Sequence, residues 1–210
     1  MDDIILIGGG GHCKSVIDTI NRLSRYNIIG VLDIQSKVGT QIAGIKIIGT
    51  DDDLGYFYKK GTKYAFLAAG SIGDTFLRRG LYTMAADIGY ILPNIIDDTA
   101  IISKKVRMGI GNFIGKGVII NSDTTVGDNC IINTGSIIEH DCHIEDFCHI
   151  APGGTLSGGV KVGKDTHIGT NATIIQNIKI GSNTIIGAGA VLLKDIGDNK
   201  KAYGNPCREV

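Results

Sequence analysis

His140 stands between two carboxylates, with Glu139 before it and Asp141 after it. An imidazole that titrates near neutrality can take the proton that an amine or hydroxyl loses when it attacks a carbonyl. A neighbouring carboxylate favours the charged form of the ring, which raises the pKa of the histidine and stabilises the imidazolium. The local pattern therefore indicates a general base, if the fold holds the ring outside its core.

The element that must position His140 is a repeat of six residues that fills the second half of the chain. Seventeen consecutive aliphatic residues occupy one register of this repeat. They are Ile96, Ile102, Met108, Ile114, Ile120, Val126, Ile132, Ile138, Ile144, Ile150, Leu156, Val162, Ile168, Ile174, Ile180, Ile186 and Leu192. A sustained period of six fits neither a helix nor a single strand. It is typical of a parallel β-helix, with three hexads closing one triangular coil, although such a prism can also serve purely as a scaffold.

The same register sorts the reactive side chains into inward and outward positions. His140 lies two places after a core aliphatic residue and should point outward, and His149, at the sixth place of its hexad, should also lie outside the core. Cys130, Cys142 and Cys148 occupy the fifth place, which is mostly small and should face inward. Because adjacent cysteines and histidines then point to opposite sides, no metal site is expected.

Composition limits the classes of partner. The 21 basic and 21 acidic residues cancel, and there is no basic run, so a nucleic-acid surface is not indicated. The first residues lack the basic region of a signal peptide, and no apolar stretch reaches the length of a membrane span. Five cysteines without dense spacing agree with a reducing compartment. We therefore expect a cytoplasmic protein without membrane insertion.

Residues 1–90 alternate short apolar runs with helical patterns. The apolar runs cover 4–7, 28–32, 45–48 and 64–69, and helices are expected over 12–23, 51–60 and 74–87. Alternation of this kind predicts a small parallel α/β domain. We therefore expect two domains, a half-Rossmann domain over 1–90 and a β-helix domain over 91–210.

A run of glycines, Gly8–Gly11, follows the first predicted strand. Backbone amides at such a turn, where a helix begins, are a common site for a phosphate. Cys13 breaks the dinucleotide fingerprint, so a mononucleotide portion is favoured over NAD. Asp33, about 20 residues later, stands where an acidic group commonly binds ribose hydroxyls or a base edge. A solvated turn aspartate, and a solvent-exposed ring at His12, are the simpler alternatives.

Four stretches together resemble one enzyme family. They are Ile138-Glu139-His140-Asp141-Cys142, Phe147-Cys148-His149, the turn from Gly8 to His12, and the tail Gly204-Asn205-Pro206-Cys207-Arg208. In these stretches the chain resembles the sugar O- and N-acetyltransferases of the left-handed β-helix acyltransferases, typified by sialic acid O-acetyltransferase and UDP-N-acetylbacillosamine N-acetyltransferase. The resemblance spans nearly the whole chain. It implies a left-handed β-helix, acetyl-CoA as the acetyl donor and a homotrimer.

The resemblance also implies roles for individual residues. His140 would be the general base, Asp141 the acid that raises its basicity, and His149 a contact of acetyl-CoA. Family members often carry glutamate after the base, so the reach of Asp141 is a point for the structure to decide. Thr170 and Ala188 match CoA-lining positions by register and would contribute mainly through their backbones. The nucleotide-sugar would be held by Gly10, Gly11 and His12, together with Asp33 and Gly70.

Spacing adds two expectations about the β-helix. Gly158 lies one coil after His140, so it should stack beside the histidine, and we hypothesise that its amide is a donor for the oxyanion of the attacked carbonyl. His140 and His149 are half a coil apart and should face opposite sides of one prism. If both serve one site, they must do so across a subunit boundary, which agrees with a homotrimer.

These observations predict an acetyl-CoA-dependent N-acetyltransferase that acts on the amine of a nucleotide-linked amino sugar. Direct attack is favoured over an acyl-enzyme, because no cysteine or serine is clearly paired with a base. O-acetylation of sialic acid and a non-catalytic nucleotide-sugar sensor are the alternatives. The nucleotide base, the sugar and the pathway are not determined by the sequence.

Overall fold

The computed structural model describes residues 1–210, which divide into two compact units. The first unit consists of Met1–Ser71 and Phe76–Ile95, and the second of Ile72–Thr75 and Ile96–Val210. None of the helices is long and apolar enough to cross a membrane.

The first unit is a small α/β domain built on one five-stranded sheet. Its strands are β1 (Asp2–Ile7), β2 (Tyr26–Leu32), β3 (Gln41–Ile42), β4 (Ile45–Gly49) and β5 (Tyr64–Leu67), and its helices are α1 (Gly11–Leu23), α2 (Leu54–Lys59) and α3 (Phe76–Ile88). The strand order is β3-β4-β2-β1-β5, and all neighbours are parallel except β3 and β4. The predicted parallel α/β domain is thus confirmed.

The helices differ from the sequence-based expectation mainly at their starts. The first begins at Gly11 rather than one residue later. The helix expected over 51–60 is divided into a 3-10 turn, Asp51–Asp53, and α2. Reciprocal capping between Thr50 and Asp53 fixes the start of this segment at Asp51, as expected. The last helix begins at Phe76 instead of 74.

Two-residue strands recur every six residues in the second half of the chain. They are β6 (Ile95–Ile96), β7 (Ile101–Ile102), β8 (Arg107–Met108), β9 (Phe113–Ile114), β10 (Ile119–Ile120), β11 (Thr125–Val126), β12 (Ile131–Ile132), β13 (Ile137–Ile138), β14 (His143–Ile144), β15 (His149–Ile150), β16 (Thr155–Leu156), β17 (Lys161–Val162), β18 (His167–Ile168), β19 (Thr173–Ile174), β20 (Lys179–Ile180), β21 (Ile185–Ile186) and β22 (Val191–Leu192). Two further strands, β23 (Lys201–Tyr203) and β24 (Arg208–Glu209), follow at the end.

These strands form three sheets, each taking every third strand. Sheet I has the order β22-β19-β16-β13-β10-β7, sheet II has β20-β17-β14-β11-β8, and sheet III has β24-β23-β21-β18-β15-β12-β9-β6. Partners in neighbouring coils are 18 residues apart, as for Ile119 with Ile137 and His149 with His167. The hexad repeat therefore forms the predicted parallel β-helix of three hexads per coil.

The interior of the prism is a single apolar cluster in which the repeating aliphatic residues meet. Cys130, Cys142 and Cys148 belong to this cluster and are at most 1% exposed. Their inward orientation is as the register predicted. Each coil packs its aliphatic side chains against those of the neighbouring coils. The coils therefore stabilise one another, and together they hold the turns between the strands in place.

Candidate active site

His140 lies in the turn between β13 of sheet I and β14 of sheet II, and its side chain is 62% exposed. Its Nδ1 is 2.8 Å from Oδ2 of Asp141. This hydrogen bond is the main cause of a raised pKa at His140; desolvation opposes it, and the charges of Asp141 and Glu139 add smaller raising contributions. With Nδ1 donating to the carboxylate, Nε2 keeps its lone pair free to accept a proton.

Asp141 reaches the ring because of its backbone conformation. Its φ of 59° is in the left-handed region, which aspartate and asparagine adopt more readily than most residues. The Asp141 amide donates to the carbonyl of Ser122 in the preceding coil at 3.0 Å, which holds the turn in place. In this conformation the short side chain of Asp141 reaches Nδ1 of His140, as the longer glutamate of other family members was expected to do.

Gly158 occupies the same turn position as His140, one coil later. A Cβ built on Gly158 would lie 2.6 Å from Cε1 and 2.7 Å from Nε2 of His140, so the imidazole rests directly against the glycine backbone. The Gly158 carbonyl accepts a hydrogen bond from Asn177, but its amide donates to no acceptor in the protein. An open amide beside the imidazole is the arrangement required of an oxyanion donor.

The turns between sheets II and III show that such amides are not open everywhere. There the Ile110 amide donates to a carboxylate oxygen of Asp128 at 2.8 Å, and the Asp128 amide donates to Asp146 at 2.8 Å. The Ser182 amide likewise donates to Asp198 at 2.6 Å. The turns between sheets I and II have no such carboxylate, and the amide of Gly158 therefore stays open.

His149 begins β15 and lies outside the apolar cluster of the prism, as expected. Its side chain is nevertheless buried, with 8% exposed. The ring of His167, one coil later, packs edge-on against it with the ring centroids 4.8 Å apart. Asn133 brings its side-chain amide to 3.4 Å from Nε2 of His149. Outward-facing side chains of a strand can be covered by packing that a six-residue period does not encode.

Thr170 and Ala188 lie in the turns between sheets III and I, one coil apart, and both are exposed. Their amides donate to no acceptor, whereas the equivalent amide of Thr134 is satisfied by Asn133 at 2.8 Å. Pro152, at the equivalent position between them and Thr134, has no amide hydrogen to donate. Open amides are therefore found at Thr170 and Ala188, towards the C-terminal end of the edge between sheets III and I.

The first unit contains a cavity of about 250 Å³ at the carboxyl ends of its central strands. Of the residues expected to bind substrate, Gly10, Asp33 and Gly70 line this cavity, whereas Gly11 and His12 do not. The lining also includes Lys37 and Asp51, which the sequence analysis did not identify.

Asp33 links the glycine turn to the segment that follows β2, and both line this cavity. Its Oδ2 accepts hydrogen bonds from the Gly9 amide at 2.9 Å and from Nζ of Lys37 at 2.7 Å, and its Oδ1 accepts from the Ile34 amide at 2.7 Å. Partial burial acts to raise the pKa of Asp33, but these hydrogen bonds outweigh it and lower the pKa below its ordinary value. Asp33 is therefore ionised and braces the glycine turn.

The glycine turn contains two kinds of glycine. A Cβ on Gly8, whose φ is 97°, would lie 2.7 Å from Ala69, and a Cβ on Gly9 would lie 2.7 Å from Asp33. A Cβ on Gly10 or Gly11 would meet nothing within 4 Å. The first two glycines are needed for close packing, and the next two leave open space next to the start of α1.

A larger open groove of about 420 Å³ lies on the outer face of sheet II. Nδ1 of His143 in this groove is hydrogen-bonded to the hydroxyl of Thr125. The carboxylates of Glu145 and Asp146, which also line it, accept hydrogen bonds from backbone amides of neighbouring coils. These polar groups brace the prism, and His140 does not line this groove. No group of three or more histidine, cysteine, aspartate or glutamate side chains is arranged to hold a metal ion.

Two family models match the sequence. The model described as the PglD N-terminal domain matches residues 3–85, and the model described as bacterial transferase hexapeptide (six repeats) matches residues 124–158 and 159–194. None of the curated proteins matches the chain.

Several solved structures are similar over nearly the whole chain. A variant of perosamine N-acetyltransferase from Caulobacter crescentus, in complex with CoA and GDP-perosamine, is 35% identical, with a TM-score of 0.94 over 100% of this chain and 97% of that chain. The acetyltransferase domain of PglB from Neisseria gonorrhoeae, in complex with acetyl coenzyme A, is 31% identical, with a TM-score of 0.92 over 99% and 98%. WeeI from Acinetobacter baumannii, at 23% identity and a TM-score of 0.88 over 100% of both chains, shares the fold.

Proposed function

This chain belongs to the hexapeptide-repeat sugar acetyltransferases with a PglD N-terminal domain and a left-handed β-helix, and we propose that it transfers the acetyl group of acetyl-CoA to the amine of a nucleotide-linked amino sugar. The similarity to perosamine N-acetyltransferase supports nitrogen, rather than a sialic acid hydroxyl, as the acceptor. The similarity to an acetyltransferase domain that binds acetyl coenzyme A supports the donor.

One observation carries the chemical part of the proposal. His140 combines a carboxylate on Nδ1, a free and exposed Nε2, and the open Gly158 amide against the ring. A proton acceptor beside a hydrogen-bond donor is what attack of an amine on a thioester needs, because a proton leaves the nitrogen while negative charge develops on the carbonyl oxygen.

In this mechanism Nε2 of His140 removes a proton from the amine as the new C–N bond forms. Asp141 stabilises the resulting imidazolium through the bond to Nδ1. The Gly158 amide donates to the carbonyl oxygen. When the C–S bond breaks, the imidazolium returns its proton to the departing CoA sulfur, so the products are the N-acetylated sugar and free CoA, and His140 regains its starting state.

The donor would be held along the edge between sheets III and I, which contains Thr170 and Ala188, next to the sheet III face that carries His149. Carbonyl groups of the pantetheine arm are acceptors, and the open amides of Thr170 and Ala188 are donors one coil apart, so the two are complementary. His149, held by contacts with His167 and Asn133, lies on the adjoining face of sheet III.

Direct transfer is supported by the state of the thiols. Burial raises the pKa of Cys142, which directly follows Asp141, to about 11, and it places the pKa of Cys148 well above its ordinary value. Such thiols are protonated at neutral pH and face the apolar core, so they are poor nucleophiles.

The nucleotide part of the substrate would bind in the cavity lined by Gly10, Asp33 and Gly70. Gly11 and His12 begin α1, so they would contribute through the start of the helix. A phosphate there would meet backbone amides with no side-chain cap in competition.

The assembly we propose is a homotrimer in which His140 of one subunit and His149 of the next serve one site. His140 lies in the turn between sheets I and II and His149 lies on the face of sheet III, so the two are on different sides of one prism, which supports sharing across a boundary. The outer face of sheet I, between these edges, presents an aliphatic strip of Ile101, Ile119 and Ile137, and Ile101 is 67% exposed. An aliphatic strip on a flat sheet face suits burial against a second copy.

We assign the protein to the cytoplasm. All five cysteines are free and buried, which agrees with a reducing compartment.

The proposed function is tested with a panel of nucleotide-linked amino sugars and detection of free CoA thiol. We expect acetyl transfer to at least one, with His140→Ala lowering kcat by about 10² to 10⁴-fold while nucleotide affinity is kept. His143→Ala, which changes an exposed histidine on the next strand, is the matched control and should remain active. Nucleotide-sugar binding without thiol release under any condition would favour the sensor alternative, and acetylation of sialic acid alone would favour the O-acetyltransferase.

A further inference from the structure

The cavity of the first unit has few groups that can distinguish one nucleotide base from another. Its charged lining residues are Asp33, Lys37 and Asp51, and the remainder of its wall is glycine, alanine and aliphatic side chains such as Leu77 and Leu81. Apolar walls accept the faces of any planar base, so selectivity must come from the polar groups that reach a base edge.

Two of the three charged groups are already paired with each other. The Asp33 side chain is 12% exposed and accepts from Gly9, Ile34 and Lys37. Lys37 is held by that ion pair, 2.7 Å from Asp33. Replacing these contacts with contacts to a base would unlock the glycine turn, so they act as supports of the cavity.

The third group, Asp51, is free. Its carboxylate has no hydrogen bond and no ion pair in the structure. The neighbouring Asp53 supplies the cap of this segment, since its carboxylate accepts from the Thr50 amide at 2.8 Å and its own amide donates to the Thr50 hydroxyl. Asp51 therefore makes none of the capping hydrogen bonds of this segment, and it lines the cavity without a partner of its own.

Resting on the proposed function, we infer that the nucleotide carried by the substrate is a guanine nucleotide, and that Asp51 reads its base. Guanine presents two adjacent donors, N1–H and the N2 amino group, which match the two oxygens of one carboxylate. Uracil presents a single N3–H between two carbonyl oxygens, so a carboxylate facing it meets repulsion. Adenine and cytosine present an amino group next to a ring-nitrogen acceptor, which gives the same mismatch.

The experiment is isothermal titration of the full chain with GDP, IDP and UDP, without acetyl-CoA or sugar. IDP differs from GDP only in lacking the 2-amino group, so it reports the second hydrogen bond. We expect GDP to bind roughly 10-fold more tightly than IDP and more tightly still than UDP, since one such bond to a charged group is worth about a factor of ten or more.

Asp51→Asn is the decisive variant, because its amide group replaces one acceptor with a donor and leaves the volume unchanged. It should lower GDP affinity by about 10-fold, remove the difference between GDP and IDP, and leave UDP affinity unchanged. Asp52→Asn, which alters the exposed neighbour outside the cavity, is the matched control and should bind all three like the unmodified chain.

Three outcomes would overturn the inference while leaving the proposed function intact. The first is tighter binding of UDP than of GDP. The second is an equal loss of affinity for all three nucleotides in Asp51→Asn, which would assign the carboxylate to the ribose. The third is no effect of Asp51→Asn. The proposed function itself is judged separately by acetyl transfer, which any nucleotide-linked amino sugar can demonstrate.

Discussion

His140 and Gly158 occupy the same turn position in consecutive coils, and the imidazole lies so close to the glycine that a Cβ there would be 2.6 Å from Cε1. The 18-residue offset that builds the prism thus also places a proton acceptor beside a free backbone donor. The proposed chemistry depends on two features, an imidazole in one coil and the lack of a side chain in the next.

Replacing Gly158 with alanine tests this relationship. The added methyl would force the His140 ring from its position against the backbone, and we expect kcat to fall by about 10² fold with little change in the melting temperature, because a misplaced base loses much of its effect. Gly197→Ala is the control, since that glycine lies in the same prism with nothing within 4 Å of an added Cβ. Unchanged turnover in Gly158→Ala would remove Gly158 from the mechanism.

Asp141→Asn tests the source of the basicity of His140. The hydrogen bond and charge of Asp141 raise the pKa of the histidine, so their loss should lower that pKa. Activity requires the neutral ring, and the acidic limb of the pH profile of kcat/KM should therefore move to lower pH, while the maximum falls because the imidazolium is less stabilised. Asparagine tolerates the left-handed φ of 59°, so the turn is kept. A limb that stays in place would show that another group sets the profile.

The prism could be predicted from the sequence because each hexad repeats the same environment. A side chain at one place in the hexad has the same orientation in every coil, so inward cysteines and an outward His140 followed directly from the register. The position of Gly158 against His140 followed in the same way. That the Gly158 amide is open required one more comparison. In the turns after sheet II, an acidic residue 18 positions later accepts from the turn amide, as Asp128 does for Ile110. The residue 18 positions after Gly158 is Gln176, which is not acidic.

Features that depend on contacts outside the repeat could not be predicted in this way. The near-complete burial of His149 arises from packing on the outer face of its strand, which the period does not describe. In the first unit, Lys37 and Asp51 join the cavity because β2 and β4 end at the same edge of the sheet, and the local sequence does not state which loops meet there. The constraint on Gly9 likewise comes from Asp33, 24 residues away.

The proposed trimer predicts that a charge on the aliphatic strip of sheet I will disrupt assembly. Ile137→Glu should give a monomer in sedimentation velocity, with turnover reduced at least 10² fold, because a buried unpaired charge at an interface is costly and the two histidines would no longer share a site. Lys161→Glu, which changes an exposed outward side chain of sheet II, should remain trimeric. A fully active monomer in either case would refute the shared site.

The half-buried ring of His167, whose Nδ1 is buried, predicts a pH-dependent stability. Burial lowers its pKa below the ordinary 6.5, so the unfolded chain binds a proton more readily than the folded one. The stabilising effect is therefore complete above about pH 6.5 and is lost as the pH falls below that value. We expect the melting temperature to drop by a few degrees between pH 7 and 5, and His167→Phe, which keeps an aromatic ring against His149, to make this drop smaller. His143→Phe, at an exposed site, should retain the full pH dependence. An equal slope in His167→Phe and the unmodified chain would mean that other groups control acid stability, because the buried ring could then not be the one that resists protonation.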